Sequence, residues 1–318
     1  MLGYTIRRML QAVVVLLGVT LLTFLLSHII PGGAARAALG PRSTPAQIRA
    51  FNEINGYNLP LWDQIYRYVE GLVLHFDLGY SYKNNAPVST LIFQRLPKTL
   101  VLLGLSTAFA LVIAIPLGIL QVVKRNTIID YAATGVSFVL YAAPSFLIGL
   151  LLILYFAVDL RWFPVAAPSA STVGGILADP RALVLPVLTL AAVTIASFSR
   201  YMRSSMMDVM TQDFIRTARA KGASSRRVLY GHALRNAMIS IITLLGLSIP
   251  GIVGGAVVTE TVFNYPGMGL LTYNAALNLD VPLLIGTTFV ASLAVVVGSF
   301  VADVLYAVVD PRIRYGSR

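Results

Sequence analysis

The stretch Arg200–Asn236 reads RYMRSSMMDVMTQDFIRTARAKGASSRRVLYGHALRN, a polar island between two apolar runs. It holds Arg200, Arg203, Arg216, Arg219, Lys221, Arg226, Arg227 and Arg235, eight positive charges against the two of Asp208 and Asp213, for a net charge of +6. Its pattern predicts two short helices. Asp213 stands where an N-cap carboxylate would accept free N–H groups and oppose the positive end of a helix dipole. The helix it opens runs over Phe214–Lys221, with Arg219 and Lys221 suited to the negative end. Gly222 supplies a left-handed stop, and Ser224 or Ser225 caps a second helix leading into the next apolar run. A mere connector needs only a few polar residues. An ordered helix-turn-helix on such a loop therefore points to a docking surface.

Around the island the chain is strongly apolar. Of 318 residues 57% are hydrophobic and 12% charged, with a mean hydropathy of +0.78 and a formal charge of +11. A soluble protein carries about 25% charged residues. Six runs are long enough to cross a hydrocarbon core of about 30 Å: Met9–Ile30, Thr99–Val123, Tyr131–Val158, Leu183–Ser199 (continuing through Tyr201–Met207), Ala237–Thr259 and Leu283–Val309. None alternates as barrel strands do, so the expected class is an all-α polytopic membrane protein with six transmembrane helices. The first run follows Arg7 and Arg8, and Ala35-Arg36-Ala37 resembles a cleavage site. It exceeds the roughly 7–15 apolar residues of a signal peptide, and it is read as a retained helix.

Lys and Arg in the short loops set the orientation. Fifteen lie at the N-terminus, in the loop at Lys124-Arg125, in the island and in the tail after Asp310. Across the fifth run the contrast is eight against none between Glu260 and Val281. Both termini and the island are therefore expected in the cytoplasm. The expected organisation is a tail and first helix over 1–30, an extracytoplasmic segment over 31–98, a five-helix core over 99–309 containing the loop 200–236, and a cytoplasmic tail over 310–318. Within the external segment Pro45–Asn55 reads as a helix behind a Thr44 cap. Leu61–Phe76 reads as an amphipathic helix whose Ile65, Tyr68, Val69 and Leu72 face packs on the bundle rather than binding a ligand.

Pro and Gly interrupt the runs at Pro116, Gly118, Pro144, Gly149, Pro250, Gly251, Gly254 and Gly255. Neighbouring helices can satisfy the backbone groups that Pro frees, so singly these read as packing kinks. The dense cluster Pro250, Gly251, Gly254 and Gly255 is the candidate for a bend lining a pathway. Ala294, Gly298 and Ala302 form a small-residue stripe for close helix contact.

Chemistry is sparse. The absence of Cys excludes disulfides, Cys-bearing zinc sites and thiol nucleophiles. No GxxxxGK[ST] loop occurs, so the chain is not the nucleotide-hydrolysing part of a pump, and it is read as no enzyme. Ser27 and His28 are sequence neighbours and do not make a facing protease pair. Gly267-Met268-Gly269 follows no buried strand and is no dinucleotide fingerprint. Ionisable residues inside the runs are scarce: Asp303 lies in the sixth, Glu260 at the edge of the fifth and His28 near the end of the first, too few for a proton-coupled carrier, and Asp303 reads as hydrogen-bonded to a neighbouring helix. Two classes remain. One is the membrane subunit of a multi-chain transporter whose island docks a cytoplasmic motor. The other is a self-sufficient channel or carrier whose basic island binds anionic lipid. A lipid patch needs only clustered charge, whereas the caps and the Gly stop favour a shaped surface.

FIRTARAKGASSRRVLYGHALRNAM, from Phe214 to Met238, resembles the cytoplasmic EAA-type loop of ATP-binding-cassette importer permeases, in their oligopeptide, dipeptide and nickel branch. VFNYPGMG at Val262–Gly269, DPRIR at Asp310–Arg314, DLGYS at Asp77–Ser81 and QRLPKTL at Gln94–Leu100 resemble that branch at matching places. The resemblance spans essentially the whole chain. It implies a type I importer permease fold in a bacterial or archaeal cytoplasmic membrane and a heteromeric complex. The implied partners are a second homologous permease, two cytoplasmic ATPases and an extracytoplasmic solute-binding protein. Peptides would be the solutes. It implies no cofactor on this chain, with ATP and magnesium on the ATPases. Carried over by position, the coupling residues are Asp213, Phe214, Arg216, Thr217, Ala218, Lys221, Gly222 and Ala223. Arg216 replaces the motif's acidic first position and Thr217 its first Ala, which implies an acidic rim on the matching ATPase groove. After Pro31 the sequence has Gly-Gly where the branch has Gly-Asp.

Overall fold

A computed structural model describes residues 2–28, 33–40 and 42–309, with the side chains of 10–25, 35–36, 38–40, 42–246 and 256–301. The chain is mostly helical. Helix α1 (Leu2–His28) is followed by α2 (Gly33–Leu39), α3 (Pro45–Asn55) and α4 (Leu61–His75). Thr44 caps α3 in a capping box: its hydroxyl accepts the Gln47 N–H, and the Gln47 side chain accepts the Thr44 N–H at 2.8 Å. A hairpin of β1 (Tyr80–Ser81) and β2 (Ala86–Pro87) pairs antiparallel and leads directly into α5 (Val88–Val123).

The core helices follow. They are α6 (Ile128–Ala142), α7 (Ser145–Leu152, extended by wide π-helical turns over Ile153–Asp159), the short α8 (Val173–Leu177) and α9 (Pro180–Met210). Then come α10 (Asp213–Ala220), α11 (Leu234–Val262, led in by π-helical turns over Arg227–Ala233), α12 (Met268–Leu277) and α13 (Val281–Val309). Helix α9 is central. It packs along α5 and also touches α6, α7 and α11. At Gly118 of α5 the two axes approach so closely that a Cβ would lie 2.6 Å from the Met202 side chain and 2.9 Å from the Ser199 carbonyl.

Three expectations about the runs change. Helix α5 begins at Val88, not Thr99, with Pro97 and Pro116 inside it. Its first turns bury Val88 and Ile92 against Met268, Leu271 and Leu283, and that packing carries the helix through the polar Gln94-Arg95. The third run is not one rod: the chain bends by 106° between α6 and α7. Pro144 there acts as the N-cap of α7 instead of kinking a continuous helix. Among the described residues four helices are long and apolar enough to cross a membrane, or five if the bent pair is one span. The fourth run does continue through Tyr201–Met207, as one helix to Met210.

The segment between α1 and α5 folds onto the C-terminal end of α1 and the N-terminal end of α13. Leu61, Ile65 and Tyr68 of α4 pack on Phe24, Val281 and Ile285, and Leu72 joins the cluster around Leu78 and Leu283. Of the face expected to seat on the bundle, Ile65, Tyr68 and Leu72 do so, while Val69 joins neither cluster and falls on the neighbouring stripe. Asp280, nearly buried, caps α13 through the Leu283 N–H and accepts hydrogen bonds from Ser81 and Asn84 of the hairpin. In the DLGYS stretch, Asp77 accepts the Gly79 N–H at 2.8 Å, Leu78 is a core residue and Ser81 is the hairpin's contact to α13.

Candidate functional site

The island separates into three parts. Arg200 to Met210 is the last third of α9, and its two arginines are already engaged. Arg203 donates through Nε and Nη2 to the Asp130 carboxylate at 2.9 and 2.8 Å, and the Asn126 N–H adds a third bond to Asp130. The Arg200 guanidinium lies 4.4 Å from the Phe138 ring centroid and 5.4 Å from that of Tyr141. Both residues tie α9 to α6. The outward-facing charge is therefore that of Arg216, Arg219, Lys221, Arg226, Arg227 and Arg235, all exposed.

The second part is α10. It runs Asp213–Ala220, one residue earlier than expected, because Gln212 in extended conformation is the N-cap and Asp213 is the first helical residue. The Asp213 carboxylate makes no capping bond. It pairs with Arg216 at 3.3 Å, where both side chains are mostly exposed, a contact worth about 0.2–1 kcal/mol. The helix stops as expected at Gly222, whose φ of +79° lies in the left-handed region. The Ala223 N–H bonds the Ala218 carbonyl at 3.1 Å and the Gly222 N–H bonds the Arg219 carbonyl at 2.9 Å. That pair of bonds is the Schellman termination, which satisfies carbonyls a helix end leaves free.

One residue anchors α10. Ile215 is fully buried and belongs to the apolar cluster that joins Phe198, Met202 and Met206 of α9, Ile119 of α5 and Val228 of the next turn, with Ala218 and Ala223 packed against that cluster. Asp213, Phe214, Arg216, Thr217 and Lys221 face outward. The sequence reading did not single out Ile215, although it is the apolar member of an otherwise polar helix. The third part starts at Ser224, the cap of the two alternatives, whose hydroxyl and carbonyl accept from Arg227 and Val228. From there the chain runs without a break into α11.

At the other end of the core the family-like stretches meet. Glu260, with no exposure, receives the Thr99 hydroxyl on Oε1 at 2.6 Å and the Leu270 N–H on Oε2 at 3.0 Å. Thr99 in turn accepts the Met268 N–H at 2.7 Å. A carboxylate of α11 thus caps α12, where it also opposes that helix's positive end. The Tyr265 hydroxyl donates to the Lys98 carbonyl at 2.7 Å, and burial beside Glu260 raises its pKa, keeping it a donor. Lys98, buried, donates to the Ala170 carbonyl. The glycines of VFNYPGMG make room: a Cβ on Gly267 would lie 2.2 Å from Glu260 Oε1, and one on Gly269 2.5 Å from the Val257 Cα. These partners were not legible beforehand, since nothing local links Thr99 to Glu260.

Pro250, Gly251, Gly254 and Gly255 lie in the helical backbone of α11, but their surroundings lie outside the described residues. The side chains of His28 and Asp303, the Pro31-Gly32 turn and the DPRIR ending are outside them as well.

Residues 89–315 match the family described as "Binding-protein-dependent transport system inner membrane component", and residues 1–103 match that of its N-terminal part. The oligopeptide transport system permease protein AppB of Bacillus subtilis is 42% identical over 317 residues, covering 99% of this chain and all of the relative. The dipeptide transport system permease protein DppB of Escherichia coli K12 is 34% identical, covering 99% of each. The glutathione transport system permease protein GsiC of Salmonella paratyphi A is 39% identical, covering 99% of this chain and all of the relative. A chain of the MetNI methionine transporter, solved in inward-facing conformations, superposes with a TM-score of 0.54 over 70% of this chain and 97% of that one, at 18% identity, and so shares its fold. The chain belongs to the binding-protein-dependent transport system inner membrane components, the permeases of ATP-binding-cassette importers.

Proposed function

We propose that this permease forms half of the passage of a peptide importer and that α10 is where an ATPase drives it. The observation that carries the reading is the division of α10: Ile215 is locked into the junction of α5, α9 and the start of α11, while Phe214, Arg216, Thr217 and Lys221 are left outward. A load applied to that outer face is passed to three helices of the bundle at once. Interiors are close-packed and transmit displacement rather than absorbing it, so a shift of α10 becomes rigid-body tilting between inward and outward openings.

In this reading six helices span the cytoplasmic membrane of a bacterium or archaeon, with the bent α6–α7 pair as one span and both termini inside. Residues 31–98 stand outside, and the loop 200–236 and the tail 310–318 stand inside. The partners are a second homologous permease, two cytoplasmic ATPases carrying ATP and magnesium, and an extracytoplasmic solute-binding protein. The chain itself carries no cofactor. Peptides are supported as the solute class by the oligopeptide, dipeptide and glutathione relatives. The helix bend at Pro250, Gly251, Gly254 and Gly255 remains the proposed pathway segment.

The test reverses charge at single island positions in the co-expressed system and follows ATPase co-purification and uptake of a labelled dipeptide. Arg216→Glu, on the outer face of α10, should release the ATPase and stop uptake. Arg235→Glu, well along the following helix, should leave both nearly intact. Equal losses from both variants would mean that only total charge matters, as in lipid binding, and would overturn the proposal.

A further inference from the structure

Helix α4 has three distinct faces. One, of Leu61, Ile65, Tyr68 and Leu72, is seated on the bundle. Next to it around the helix, at the i, i+4, i+7, i+11 spacing that keeps residues in line, runs a second apolar stripe of Trp62, Tyr66, Val69 and Val73. Trp62 is 71% exposed, Tyr66 67% and Val73 64%. The remaining face carries Asp63, Arg67 and Glu70, interrupted by Leu74. On that polar flank, between α4, the turn after α3 and the hairpin, opens a cavity of about 610 Å³ lined by Asn52, Gln64, Arg67 and Asp77 among others. So one flank of α4 faces polar, roomy space, and the opposite flank offers exposed aromatic and aliphatic side chains.

We propose that α4 lies in the membrane–water interface, with Trp62, Tyr66 and Val73 inserted among lipid headgroups and upper acyl chains. The depth fits. The seated face touches Phe24, four residues before the end of α1, and Ile285, four residues into α13. At 1.5 Å per residue both contacts lie about 6 Å inside the helix ends. An amphipathic helix in the interface buries its apolar face by about 5–10 Å. The composition fits as well, since Trp and Tyr prefer that level because each has an apolar body and a polar tip. The exposed apolar residues Leu22 and Leu25 of α1 flank the Phe24 contact and continue a lipid-facing surface towards α4. This inference does not depend on the solute or on the coupling role of α10.

The chain has two Trp residues, so Trp162→Phe leaves Trp62 as its only Trp. The full chain carrying that change would be reconstituted in phosphatidylcholine–phosphatidylglycerol vesicles bearing a spin label either near the headgroup or near the bilayer centre. Trp62 emission should be blue-shifted, lose most of its intensity to the headgroup-level label and less to the central one, and resist aqueous iodide. Efficient iodide quenching with little lipid quenching would overturn the proposal. As a second variant, Tyr66→Cys labelled with bimane in this Cys-free chain keeps both Trp residues and should show the same depth order. Co-reconstitution with the partner subunits and binding protein should leave the bimane quenching unchanged. Its loss there would assign the stripe to a protein partner and reject the lipid.

Discussion

Thr99 donates its hydroxyl to Glu260 at 2.6 Å and accepts the Met268 N–H at 2.7 Å, so one side chain of α5 ties α11 to α12. Two sequence stretches that look unrelated, QRLPKTL and VFNYPGMG, are thereby halves of one structure. The carboxylate of Glu260 sits in the space that Gly267 and Gly269 leave open and supplies the N-terminal partner that α12 lacks of its own, since Gly267 has no side chain to cap with.

Thr99→Val keeps the shape and removes both bonds. It leaves a buried carboxylate oxygen and a buried N–H short of a partner, at about 1–3 kcal/mol each. Thr99→Ser should be close to wild type. Thermal unfolding of the purified chain in detergent checks the order, and equal midpoints for the Val and Ser variants would contradict the role of the hydroxyl. In the same assay Gly267→Ala and Gly269→Ala should each lower the midpoint. The first places its Cβ 2.2 Å from the held Glu260 carboxylate, and the second 2.5 Å from the Val257 backbone.

The Asp130–Arg203 pair predicts an asymmetry. Asp130 is 2% exposed and Arg203 30%. Arg203→Ala strands a carboxylate away from water, a loss in the range of about 3–5 kcal/mol for breaking a buried pair. Asp130→Asn leaves a guanidinium that reaches solvent along its own stem, and it should cost less. Comparing the two variants' stability in a denaturant series tests this, with a larger loss for Asp130→Asn as the contrary result.

What was legible in the sequence was local. The Thr44 cap and the limits of α3 follow from Thr-Pro at one end and Gly56 at the other, and Gly56 indeed has φ +71°. Gly222 was readable as a stop because only the backbone decides it. The limits of α5 were not readable, because its first turns are held by Met268, Leu271 and Leu283, far along the chain. The break before α7 was half visible: Pro144 marks an interruption, but periodicity cannot tell a kink from a 106° bend. For the candidate site, the outward residues of α10 were legible as a polar run. That Arg200 and Arg203 are engaged by α6 was not, since their partners Asp130, Phe138 and Tyr141 lie 59 to 73 positions upstream in a different helix.

The proposed topology makes a labelling prediction. Ser225 and Asn274 are both exposed, one at the start of the helix that follows α10 and one on α12. Single Cys residues there, in a chain without Cys, should react oppositely with an impermeant thiol reagent in intact cells: Asn274→Cys at once, Ser225→Cys only after permeabilisation. Reaction of both from outside would contradict an odd number of crossings between them.

Gly222 gives the sharpest test of the coupling helix, because its environment separates backbone from packing. A Cβ there would meet no atom within 4 Å, yet its φ is +79°. Any loss on substitution therefore comes from conformation and not from a clash. Ala should cost about 1–2 kcal/mol, and Asn less, because its short polar side chain tolerates the left-handed region. Val should cost most, its branched Cβ being the worst fit to positive φ. The Schellman bonds at Ala218 and Arg219 would open, and α10 would lose its fixed end while Ile215 still holds its other turn in the bundle. The expected series for ATPase co-purification and dipeptide uptake is Gly first, then Asn, Ala and Val, with the unfolding midpoint of the transmembrane bundle unchanged throughout. A flat series would show that the termination of α10 carries no coupling. A falling midpoint that tracks the uptake loss would place the effect in folding instead.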